Sequence, residues 1–154
     1  MESELGVVLR EQQAVVSLLL SRVALVDGNE RRVAFEALAR VLFAHLSVWK
    51  SVLLPKAGDA DLAQQAAASG RRVAGIVART IVEQQGIGAR HDIQTLMSSV
   101  LSLLSQESAL LKTAFGVLPR ELQRSLAVEA EEEFMRLAEP YELGELPSPQ
   151  ESLQ

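Results

Sequence analysis

ARVLFAHLSVWKSVLLPK, residues 39–56, is the stretch on which the reading of this chain turns. At helical spacing Leu38, Val41, Leu42, His45, Trp49 and Val52 fall on one face. The only Trp of the chain and one of its two His residues therefore share an otherwise aliphatic stripe. Pro55 closes the segment, because a proline removes a helix hydrogen bond and restricts the residue before it. The pattern predicts a helix whose inward face holds a polar group.

The same periodicity runs outward in both directions. Upstream, Leu5, Leu9, Val16, Leu19, Leu20 and Val23 recur at helical spacing, with Gln12 and Gln13 interrupting the stripe. Asp27-Gly28-Asn29 is a turn signal between this helix and the next. Downstream, Leu62, Ala66, Gly70, Val73, Val77 and Ile81 mark a third helix, with Asp59 or Asp61 available as its N-cap and Gly86-Ile87-Gly88 as its stop. Ile93, Met97, Val100, Leu103, Leu104, Glu107, Leu111 and Ala114 mark a fourth. Pro119 suits the first turn of a further helix with Leu122, Leu126, Ala130, Phe134 and Leu137 on its apolar face. Glu129, Glu131, Glu132 and Glu133 then form a solvated face.

These signals place helices at about 3–26, 29–54, 61–85, 89–115 and 119–138, in one domain over 1–139, with a disordered tail over 140–154. No strand candidate appears. The expected fold is all-α: four long helices joined by short turns form an up-down-up-down four-helix bundle, followed by a short extra C-terminal helix.

Composition narrows the function. The chain has 154 residues, 48% of them hydrophobic but only 4% aromatic, so its core is built from Leu, Val and Ala. No cysteine is present, which removes disulfides, thiolate metal ligands and a cysteine nucleophile. A formal net charge of −5 argues against nucleic acid as the main partner. The pairs Arg31–Arg32 and Arg71–Arg72 read as solvated faces. The apolar run near the N-terminus, AVVSLLL, is far shorter than the roughly 20 residues of a membrane span. Glu2 and Glu4 before it are wrong for a signal peptide. A soluble cytoplasmic protein with no membrane partner is expected.

Neither histidine has a carboxylate at ligand spacing on its own helix. Around His45 stand Val41, Leu42, Val48 and Trp49; around His91 stand Ile87, Gly88, Gln94 and Thr95. No glycine-rich phosphate loop, GxSxG elbow or pair of inward carboxylates occurs, so no enzyme is expected.

HLSVWKSVLLPKAG resembles the second-helix motif of hemerythrin-like (HHE cation-binding) domains, in which His, then Glu four on, precede an aliphatic pair and a proline. Helix lengths, loop placement and the extra helix after the fourth are also similar. The resemblance implies a di-iron centre held by His and Glu residues of all four helices. This sequence departs from that set heavily. The first-helix position falls at Gln12 or Gln13, Trp49 stands where Glu belongs, and Gly70 or a neighbour occupies the third-helix position. In SLLSQESALLK, Leu103 replaces the His and Glu107 matches the Glu. Only His45 and Glu107 survive.

The reading is therefore a metal-free bundle with a remnant core polar site at Gln13, His45, Trp49 and Glu107, without cofactor, acting as a binding, scaffolding or regulatory module. Another protein is the expected partner, and self-association stays open. Some bacterial anti-sigma regulators have a similar helical architecture, so a transcription factor is one such partner. The alternatives are a non-haem di-iron sensor or store using an aberrant ligand set, and a small-molecule pocket polar at His45 and aromatic at Trp49. If His45 only packs and hydrogen-bonds, its replacement by Ala costs about 1–3 kcal/mol.

Overall fold

A computed structural model describes residues 3–57, 60–82 and 90–138, and among them every regular element is helical. Helix α1 spans Glu4–Leu25, α2 Gly28–Ser47, α3 Ala60–Val82, α4 Arg90–Leu110 and α5 Arg120–Ala138. The tail, the glycine stop after α3 and Asp59 lie outside the described residues, as does the side chain of His91.

Helix α1 begins because the Ser3 side chain accepts a hydrogen bond from Gly6 N–H (3.1 Å), one of the donors that a helix start leaves unpaired. Its inward stripe is continuous: Leu5, Leu9, Gln12, Val16, Leu19 and Val23 are all buried. Gln12 thus continues the stripe that it was expected to interrupt. Helix α2 starts one residue earlier than the turn signal suggests, with Gly28 at φ +56°, a left-handed conformation that glycine adopts without steric cost. Arg31 is not part of a solvated face. Its Nε donates to the carbonyls of Val23 (3.2 Å) and Val26 (2.7 Å), closing the C-terminal end of α1.

Two π-helical turns interrupt the regular pattern. α2 runs on into one at Val48–Leu53 and then a short 3-10 turn at Leu54–Lys56; α4 runs on into the other at Leu111–Phe115. The first has a direct consequence for the stripe of residues 38–52. A π turn bonds each N–H five residues back, as Leu54 N–H does to the Trp49 carbonyl, so the inward face advances by one residue. Leu38, Val41, Leu42, His45 and Trp49 are buried as expected, whereas Val52 is only half-buried and Leu53 takes the inward place.

Val26 and Asp27 are too short a link for anything but an antiparallel α1–α2 pair. Helix α3 packs on α4, and the two pairs meet through α2–α3 and α1–α4. Helix α5 is not a short appendage. Its 19 residues lie along both α1 and α2, burying Leu126, Ala127, Ala130, Phe134 and Ala138. It runs parallel to α1, since Arg124 reaches Glu4 and Ala130 reaches Gln12. Pro119 stands just before it, its carbonyl accepting from Gln123 N–H (3.0 Å).

The continuous helical rod Gly28–Lys56 is long and apolar enough, by length and composition, to cross a membrane. More than half of its apolar window is covered by the other helices, as expected of a core helix. Glu129, Glu131 and Glu132 are exposed as expected, but Glu133 is half-buried. Its carboxylate accepts from Arg136 Nε (3.0 Å) and Ser47 Oγ (3.0 Å). The Arg136 bond, with help from Ser47 and against the effect of burial, holds Glu133 below the usual carboxylate range.

Candidate functional site: a buried hydrogen-bond chain

The last turn of α2 carries His45, which is fully buried. Both ring nitrogens are engaged. Nδ1 lies 2.9 Å from Gln12 Oε1 and Nε2 lies 2.7 Å from Glu107 Oε1. Gln12 Nε2 in turn donates to the Ala130 carbonyl of α5 at 3.4 Å, and Gln13 Nε2 donates to Glu107 Oε1 at 3.0 Å. One polar chain thus links α1, α2, α4 and α5 through an apolar core.

Hydrogen-bond directions follow from this arrangement. A backbone carbonyl only accepts, so the Gln12 amide turns its NH2 to Ala130 and its oxygen to His45. Nδ1 must then carry a proton. The contact of Nε2 with Glu107 Oε1 requires one more proton between them, and its 2.7 Å length is that of a charge-assisted bond. The pair is 0% and 1% exposed, so its attraction is little screened by solvent and neither member can be removed without stranding the other.

Trp49, one helical turn beyond His45, enters the first π turn, and Phe115 ends the second. Their rings meet edge to face, with centroids 5.9 Å apart and planes at 81°. Such pairs contribute about 0.5–1.5 kcal/mol beyond area burial. Two buried polar side-chain atoms have no hydrogen-bond partner among the described residues: Trp49 Nε1 and Glu107 Oε2. An unpaired buried group of this kind costs about 1–3 kcal/mol.

The expected site residues are thus brought together in part. Gln13, His45 and Glu107 share one network, while Trp49 flanks it without a hydrogen bond to it. Gln12 is the member missing from the expected set. Its signal was present, since it occupies an inward position of the α1 stripe.

The positions matched to iron ligands lie among the described residues. His45 has no free ring nitrogen, Leu103 is buried at the position matched to a second His, and Gly70 carries no donor. Among the described residues no group of three or more His, Asp or Glu side chains converges as a metal site would require. What the chain can do chemically is hold four helices in one register and keep one proton between a buried imidazole and a buried carboxylate. No family model, curated protein or solved structure matches this chain.

Proposed function

We propose that this protein is a metal-free, hemerythrin-like helical bundle that acts as a binding or regulatory module in the cytoplasm. The observation that supports this most is the engagement of both His45 nitrogens by Gln12 and Glu107. An imidazole bonded on both sides has no lone pair to offer a metal unless the chain is first broken. In this reading Gln12 and Gln13 have turned a ligand position into a structural tie, and Trp49 fills the place of a carboxylate. The α1–α4 assembly is the bundle proper, and α5 is the strap that anchors Gln12 through Ala130. The acidic outer face of α5, with Glu129, Glu131 and Glu132, is where we place a protein partner, as charge of one sign steers association and disfavours nucleic acid.

Metal analysis of protein purified after iron supplementation tests the reading. The expected result is iron well below one atom per chain and no oxo-bridge absorption band. Stoichiometric iron with that band would overturn it in favour of a non-haem iron sensor or store.

A further inference from the structure

A second feature lies on the far side of Glu107 from the hydrogen-bond chain. The end of α2 with its π turn, together with α3 and α4, lines a cavity of about 550 Å³ that opens to solvent. That is within the range of small-molecule pockets, roughly 300–1,000 Å³. Its α3 wall is made of Ala66, Ala67, Gly70 and Ala74, side chains too small to reach across it. A Cβ at Gly70 would come 3.4 Å from the Leu46 side chain, an ordinary contact, so a larger residue there would extend into the space.

Small residues alone would describe only loose packing. The polar groups give the cavity its chemistry. Trp49 and Glu107 line it, and these are the two residues with buried, unpartnered polar atoms, the donor Nε1 and the acceptor Oε2. Glu107 is the only acidic residue among the described ones that line it. Two cationic residues of the lining, Lys50 and Arg71, are exposed and so stand at its rim. The wall thus holds two residues with buried, unpartnered polar atoms, small aliphatic side chains with Ser47 and Ser51 between them, and positive charge at the mouth.

We propose that this cavity binds a small anionic aliphatic amphiphile. Its inner end carries a hydroxyl or amide that accepts from Trp49 Nε1 and donates to Glu107 Oε2. Its body lies along the Ala and Gly face of α3, and its carboxylate or phosphate end meets Lys50 and Arg71. The π turn Val48–Leu53 carries Trp49 and Lys50 of this lining, and such turns are frequent at functional sites. The inference deepens the binding-module reading and rests on it, but the two fail separately. Iron in the core would defeat the metal-free reading, whereas a cavity that takes none of the probes would leave that reading standing.

Trp49 is the only tryptophan, so its emission reports on the cavity directly. The full chain is titrated with ω-hydroxyoctanoate, octanoate and octanol. Saturable change is expected with ω-hydroxyoctanoate, and octanoate, which lacks the inner hydroxyl, should bind about tenfold more weakly. The surface double variant Lys50→Ala/Arg71→Ala should lose most affinity for ω-hydroxyoctanoate and keep that for octanol. Gly70→Leu, with helicity checked by circular dichroism, should abolish the response to all three. No saturable response to any probe would overturn the proposal. So would equal affinity for hydroxyoctanoate and octanoate, or binding unchanged in the surface double variant.

Discussion

Replacing His45 with alanine is expected to lower the free energy of unfolding by about 3–5 kcal/mol. The sequence alone suggested about 1–3 kcal/mol, on the grounds of one lost hydrogen bond and a cavity. The structure raises the figure because two partners are stranded at once. Gln12 Oε1 loses its donor, and Glu107, 1% exposed, keeps a carboxylate with only Gln13 to bond it. Domains of this size are stable by about 5–15 kcal/mol, so a loss of this order removes a large fraction of the total. Urea unfolding of the two proteins, followed by circular dichroism, measures the difference. Replacing His45 and Glu107 together by leucine should restore part of it, since that removes the stranded carboxylate but leaves Gln12 Oε1 without its donor. A neutral or stabilising His45→Ala would contradict the structural role and point to a position held for ligand binding instead.

Trp49→Ala is expected to cost about 3–5 kcal/mol, the usual range for deleting a large buried aromatic side chain. The indole is 3% exposed and its ring contact with Phe115 would be lost as well. Trp49→Phe should cost far less, about 1–2 kcal/mol, because the indole N–H has no partner to strand and a phenyl ring can still meet Phe115. Thermal unfolding of both variants separates packing from hydrogen bonding at this position. Equal losses would mean that the indole N–H carries the stability, and that its unpartnered state is wrong.

Much of the helical arrangement was legible in the residues because it rests on periodicity. The α1 stripe of Leu5, Leu9, Val16, Leu19 and Val23 and the α5 stripe of Leu126, Ala130 and Phe134 are buried as their spacing predicts. What sequence could not supply were features decided by contacts distant along the chain. The π turns are one example: nothing in VWKSVL or LKTAF distinguishes them from ordinary helix, yet they bring Trp49 and Phe115 together. The placement of α5 is another. Its apolar face was evident, but which helices that face covers is fixed by contacts distant in sequence, among them Arg124 with Glu4 and Ala130 with Gln12.

The site was legible in the same uneven way. His45 and Glu107 stood out as polar residues on apolar stripes, and they do meet, at 2.7 Å. Gln12 carries the same signal, but the sequence leaves the first-helix position open between Gln12 and Gln13. A glutamine two helical turns from Leu5 and one from Val16 is inward by the geometry of the helix itself. Arg31 departs from its expected solvated face because its partners, the carbonyls of Val23 and Val26 at the end of the preceding helix, leave no mark on the Arg-Arg pair itself.

The protonation and bonding of the His45 ring can be read directly by nuclear magnetic resonance on nitrogen-labelled protein, with and without an excess of ferrous or zinc ion. A proton on Nδ1 in slow exchange with water is expected, with Nε2 bonded to Glu107 and both ring nitrogens unmoved by either metal. An Nδ1 without its proton, or a coordination shift at Nε2 when metal is added, would show that the ring is not closed off by Gln12 and Glu107.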